Sequence, residues 1–474
     1  MTHETSRATG GPPPCSSALH TDHYELTMVE TALRSGIAHH RAVFEVFARR
    51  LPPGRRYGVL AGVGRLAQAL RSFRFGEAEL AALDRGGALG PATAELLASY
   101  SFGGCIHAYA EGDLFFPGSP VVTVEGGFAE ALVLETLILS VLNHDSAVAS
   151  AAARMVAAAE GRPLIEMGSR RTHEEAAVAA ARAAYVAGFA TTSNLEAGRR
   201  YGIPTAGTAA HALILAHPDE RAAFVAQIAA QGAGTTLLVD TYDIAAGIRA
   251  AVEVAGDGLG SIRIDSGDLA DEALRARALL DSLGARHTKV VVSGDLDEYG
   301  IEELAPAPVD AYGVGTKLVG GSGAPTANFV YKLVAIADRP GDHLRPVAKR
   351  SASKGDRGGR KWAARVLDKE GFGLAEVVGL GSHPGPGTLE VVTPAGGSAR
   401  PLQVPVVTEG RILPPPSLEE VRAHHRSVLA ELRPLALMLV AGPPALETRF
   451  LAGSPLTGEG ADAEGAGALT GEVR

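Results

Sequence analysis

The side chains best suited to chemistry in this chain recur at the ends of short apolar runs. A lone histidine, His211, stands inside the small apolar stretch TAGTAAHAL. An imidazole there is either a satisfied packing residue of a buried strand, or a general base or a nucleophile toward a phosphoryl group. In RIDSGD, Arg263 and Asp265 are two residues apart, which puts both on one face of a strand. The pair reads as a structural ion pair, or as a carboxylate accepting ribose hydroxyls beside a cation that faces a planar anionic ring. GSRR sets Arg170 and Arg171 side by side, a guanidinium pair suited to a pyrophosphate or triphosphate. VSGDLD, with Ser293, Gly294 and Asp295, and YGVGTK, with Gly315 and Thr316, are either tight turns or glycine loops whose backbone N–H groups approach an anion.

These residues need elements that bring them to one place. From Pro163 the sequence alternates strand-like and helix-like segments. PLIEMGS, FATTSN, PTAGTAAHALI, TTLLVDTYD, SIRIDSGD, TKVVVSGDLD and VDAYGVGTKL are the strand-like runs. Their apolar character is that of strands buried on both faces, which predicts a parallel α/β domain. About seven strands favour an irregular, closed or nearly closed α/β barrel over an open sheet. The polar residues gather at the C-terminal strand ends: Glu166, Ser169, Arg170, Arg171, Ser193, Thr208, His211, Asp240, Asp243, Arg263, Asp265, Asp268, Ser293, Asp295 and Thr316. In a barrel those ends converge on one face, where active sites lie.

The rest of the chain bounds the problem. At 474 residues it exceeds one simple core, and 46% hydrophobic with 20% charged residues is an ordinary globular composition. A net charge of -9 argues against a duplex-binding surface. Cys15 and Cys105 supply neither a disulfide framework nor a zinc set. No apolar signal-peptide core opens the chain, and no uninterrupted apolar run approaches the roughly 18 residues of a membrane span, so a cytoplasmic protein is expected. The division predicted is a disordered lead-in over 1–19, a mixed α+β domain with a long buried helix over 20–160 and the barrel over 161–335. A segment over 336–450 then returns to the first domain, and a loose tail fills 451–474.

Taken together, TDHYELTM, EMGSRRTHEEAAVAAARAAYVAGFATTSN, GTAAHAL, RIDSGDL, SGDLDEYGI and GVGTKLV…YKLV resemble the nicotinate phosphoribosyltransferases, in order from about residue 20 to about residue 365. Two departures stand out. The basic loop KRSASKGDRGGRKW arranges its glycines differently from the family's Pro-Gly form, and the Cys cluster of some relatives is missing. The resemblance implies transfer of phosphoribose from PRPP to nicotinate, giving nicotinate mononucleotide and pyrophosphate, coupled to ATP hydrolysis with Mg²⁺. It makes His211 the autophosphorylated residue. It assigns Tyr24, donated across a homodimer interface, to stacking on the pyridine ring, and Arg263 and Thr208 to holding nicotinate. It gives Asp265 to the ribose, and Gly294, Asp295, Gly315 and Thr316 to the 5′-phosphate. Ser193 stands where nicotinamide-using relatives carry an Asp, which favours the acid over the amide as substrate. The alternatives are the nicotinamide enzyme and a catalytically silent nucleotide-binding barrel.

Overall fold

The computed structural model describes residues 16–451 except 88, 89, 340, 350–356 and 386. Cys15, half of the basic loop, and the two terminal segments beyond these bounds lie outside the described residues. The chain is already packed before residue 20. The Ser17 hydroxyl donates to the Ala69 carbonyl at 2.6 Å, and Ala18 is fully buried. A small apolar residue beside a satisfied hydroxyl fits a core, so residues 16–19 do not belong to a disordered lead-in.

The first sheet interleaves both ends of the chain. Its seven strands run in the order Leu344–Pro346, Phe329–Ala337, Arg41–Ala48, Val122–Gly127, Cys105–Tyr109, Gln403–Thr408 and Arg411–Ile412, all antiparallel. The stretch EGDLFFPGSPVVTVEG does make two strands, but Leu114–Phe115 pairs with Gly58–Val59 rather than with Val122–Gly127. A four-stranded sheet of Ser398–Pro401, Lys361–Leu367, Gly373–Leu380 and Glu447–Phe450 packs beside it. Arg365, on the strand Lys361–Leu367, is wholly buried, donating to Asp113 at 2.9 Å and to Glu376. Such a cation is tolerated in a core only because its partners are carboxylates.

A helix of 24 residues, Glu135–Ala158, links this region to the second. With the short helix before it, the stretch Phe128–Ala158 is long and apolar enough to cross a membrane by composition, yet 67% of its most apolar window is buried inside the fold. It packs on the helix Glu174–Val186. Both buried faces are rich in alanine, and small side chains let the two axes approach closely. Arg154 of the long helix donates to Glu298 at 2.9 Å, pinning it to the second region.

That second region is a curled parallel sheet. Its order is Thr191–Thr192, Leu164–Glu166, Ala311–Val314, Lys289–Gly294, Ser261–Ile264 and Thr236–Leu238. The last strand in sequence therefore lies against the first, as barrel closure demands. Six strands form ladders where about seven were expected. The seventh segment, PTAGTAAHALI, contributes a single bridge from Thr205 to Thr192 and then leaves the sheet. Pro204 has no N–H to give a ladder, and the alanines and Gly207 offer no branched side chains to hold a strand. The barrel is open between this segment and Thr236–Leu238.

Candidate active site

His211 lies at that opening. It does not sit on a buried strand: residues 205–210 are exposed or half-buried, and His211 opens the short helix His211–Leu215. Its Nδ1 lies 3.1 Å from the Thr241 hydroxyl, on the far side of the gap. When Nδ1 carries the proton and donates to Thr241, the lone pair of Nε2 is left for a nucleophilic role.

Opposite it, the strand ends form a network centred on Arg263. The guanidinium donates from Nε to Ser293 at 2.7 Å, from Nη1 to Thr208 at 2.9 Å, and from Nη2 to Asp265 at 2.9 Å. Ser293 donates in turn to Asp265. The ion-pair reading of RIDSGD is thus realised in the free protein, and it is realised inside a cavity. Burial pushes the Asp265 carboxyl upward, but the hydrogen bond from Ser293 and the charge of Arg263 outweigh it and hold the group below its ordinary range. His211, outside the cavity lining, is the smallest of the named influences that hold Asp265 down.

The cavity, of about 250 Å³, is lined by Met167, Arg170, Arg171, Arg263, Asp265, Ser293, Gly294, Asp295, Gly313, Gly315 and Thr316. Nine residues singled out in the sequence meet there. Arg170 and Arg171 are exposed at its mouth, with no ion pair among the described residues. Their turn is fixed from behind by Glu166, a fully buried carboxylate that accepts from the Gly168 N–H and the Thr192 hydroxyl. Burial raises the Glu166 pKa, and those donors oppose the rise. Gly168 is required there because a Cβ would fall 2.2 Å from the Val319 side chain.

Other expected residues fall elsewhere. Ser193 stays at the sheet end, its N–H bonded to the Glu166 carbonyl at 2.8 Å, outside the cavity lining. Ser169 accepts from Asn194 at 3.0 Å, joining two strand-end loops. Asp243 and Asp268 are helix N-caps, accepting from Ala246 at 2.8 Å and Asp271 at 3.2 Å. Tyr24 is remote in the fold, on the helix His23–Ser35, with its ring 45% exposed and its phenol raised by burial and by neighbouring Glu135. Within one chain it does not line the cavity. Met167, Gly313 and Thr241 are not among the residues singled out in the sequence; Met167 and Gly313 carry no polar side chain, and the link of Thr241 to His211 spans the gap in the sheet.

A family model described as the nicotinate phosphoribosyltransferase (NAPRTase) N-terminal domain matches residues 19–143. The chain is 53% identical over 461 residues to nicotinate phosphoribosyltransferase pncB1 of Mycobacterium tuberculosis, covering 93% of this chain and 99% of that protein. Its fold is similar to the crystal structure of human nicotinic acid phosphoribosyltransferase, with a TM-score of 0.77 and 27% identity over 92% of this chain and 98% of the other. A structure of nicotinate-nucleotide pyrophosphorylase from Pyrococcus furiosus is also similar, with a TM-score of 0.71 and 26% identity over 90% and 98%. With a relative this close over nearly its whole length, and with its strand-end polar residues lining one cavity, the chain belongs to the nicotinate phosphoribosyltransferase family.

Proposed function

We propose that the protein joins nicotinate to the phosphoribosyl group of PRPP in the cytoplasm, in NAD salvage, and couples the step to ATP hydrolysis. The observation that carries this reading is one cavity that puts two arginines, without ion pairs among the described residues, and two glycine loops around the Arg263–Asp265–Ser293 network. The C1–O bond to pyrophosphate breaks as the pyridine nitrogen attacks ribose C1, and the positive charge developing on the ribose passes to the pyridinium nitrogen as the N–C1 bond forms. Arg170 and Arg171 stabilise the charge developing on the departing pyrophosphate. Asp265 accepts from the ribose hydroxyls, and the loops at Gly294–Asp295 and Gly315–Thr316 hold the 5′-phosphate. Arg263 and Thr208 meet the nicotinate carboxylate, which must share Arg263 with Asp265. No group of three His, Cys, Asp or Glu among the described residues forms a metal cage. That donor set suits Mg²⁺ arriving on the substrate phosphates, with Asp295 as the open carboxylate at the cavity. Such an ion would neutralise pyrophosphate charge.

The ATP step uses His211. Its Nε2 attacks the γ-phosphorus, ADP leaves, and water later cleaves the N–P bond to release phosphate. Pyrophosphate release from PRPP and nicotinate, measured with and without ATP, tests the whole reading. No release in either case would overturn it.

Two expected results follow from substrate placement. Nicotinate should be used far better than nicotinamide, and Ser193→Asp, which adds a carboxylate at the sheet end beyond the cavity lining, should lower kcat/KM for nicotinate by roughly two- to tenfold through longer-range charge repulsion. Comparable kcat/KM for the acid and the amide would favour the nicotinamide enzyme instead. Tyr24, exposed in one chain, is assigned here to the site of a partner copy in a homodimer. Tyr24→Ala should raise the KM for nicotinate about two- to tenfold with little effect on PRPP. A fully active monomer in sedimentation at assay concentration would contradict that assignment.

A further inference from the structure

Behind the cavity lies a second carboxylate arrangement that the reaction as described does not use. Asp240, at the end of the strand Thr236–Leu238, is 8% exposed. One of its oxygens, Oδ2, accepts from the Asp265 N–H at 2.8 Å and from the Ser266 hydroxyl at 2.7 Å. It therefore fixes the turn that presents Asp265. Its other oxygen, Oδ1, is buried without a hydrogen-bond partner among the described residues. Glu220, on the helix Glu220–Gln231, is 9% exposed, and its Oε1 is likewise buried and unpartnered. Gly247 leaves room for it. A Cβ there would stand 3.1 Å from Glu220 Oε2 and 2.5 Å from the Val239 carbonyl, so the Glu220 carboxyl lies against the backbone leading into Asp240.

Two buried carboxylates on neighbouring segments, each with an orphan oxygen, cannot both be ionised and unpartnered at low cost, and a proton held between them would give each orphan oxygen a partner. We propose that Glu220 is a positioning residue whose carboxyl proton is shared with Asp240, holding in place the carboxylate that anchors the Asp265–Ser266 turn. The proposal rests on the reading of Asp265 as the ribose ligand. The charged groups acting on Glu220 are both acids, Asp240 and Asp243, and burial with their charge raises its pKa to about 7. The nearby groups on its own segment do not neutralise it. Asp219 caps the helix, the His217 ring bonds the Leu213 carbonyl, and Arg221 pairs with Glu253 on the surface at 3.1 Å.

Because the folded state binds this proton more tightly than the unfolded chain, its contribution to stability is lost as pH rises from the ordinary carboxylate range through about 7. E220Q keeps a donor toward Asp240 and has no proton to lose. In the full-length protein, the thermal midpoint of E220Q should therefore gain on wild type by about 2 °C or more between about pH 5 and about pH 8. D243N, in which Asn preserves the helix cap, should move the wild-type transition to lower pH. For PRPP, measured by direct titration, the wild-type Kd relative to that of E220Q should rise about fivefold over the same interval, and E220A should bind weakly throughout. Parallel thermal curves for wild type and E220Q would overturn the shared proton. A thermal gap with identical PRPP affinities would overturn the positioning role. Absence of PRPP binding by every variant and wild type would overturn the functional reading and the positioning role together, while the thermal series still decides the shared proton.

Discussion

His211→Ala is expected to fold, to bind PRPP, and to lose all stimulation by ATP, so that turnover with and without ATP becomes equal. The ring stands at the open seam of the barrel, half-exposed, with one side-chain hydrogen bond among the described residues, at 3.1 Å to Thr241. Removing it leaves no buried cavity, so a large loss of stability is not expected. The residual synthesis should be independent of ATP, because alignment of pyridine and ribose does not require the imidazole. Incubation with γ-labelled ATP should label wild type at a bond stable in base and labile in acid. Nicotinate and PRPP should discharge that label as phosphate. Retention of ATP-stimulated turnover in His211→Ala would refute the assignment whatever the labelling shows.

Asp265→Ala should produce the largest loss of the transfer reaction itself, about 10²- to 10³-fold in kcat/KM for PRPP. The carboxylate does two things. It accepts from Arg263 and Ser293, fixing the guanidinium that also holds Thr208, and it faces the cavity where the ribose would lie. Its deletion leaves Arg263, whose side chain is 11% exposed, without its counter-charge. A group held below its ordinary carboxylate range contributes stability that is present at neutral pH and is lost only as the solution is acidified through its folded-state pKa. The affinity for PRPP should therefore show no loss of this contact near neutrality. Asp265→Asn, which keeps the shape and loses the charge, should fall between wild type and Asp265→Ala. Equal kcat/KM for wild type and Asp265→Ala would remove Asp265 from the site.

Much of this site is written in local sequence. Arg263 and Asp265 face the same way because a strand alternates with period two, and the observed 2.9 Å contact between them follows from that alternation. The parallel strands announced themselves as apolar runs followed by polar ends, since strands buried on both faces can place polar groups only where they emerge. Asp243 and Asp268 carried a local signal of another kind, an acid immediately before an apolar helix, which marks an N-cap; the structure gives them that role.

What the sequence could not decide depends on contacts between distant residues. The run before His211 reads as a strand by composition, but with one bridge and no continuing ladder it leaves the sheet, and only the gap this creates sets the ring beside Thr241. Strand pairing across the first sheet joins Arg41–Ala48 to Phe329–Ala337, and Arg365 finds Asp113 across more than half the chain. Alternation and capping are properties of neighbouring residues and so are legible in order. Which strand lies beside which, and which buried carboxylate lacks a partner, are settled by whichever packing removes the most apolar surface from water while pairing the most polar groups, and that is decided only when the whole chain has closed on itself.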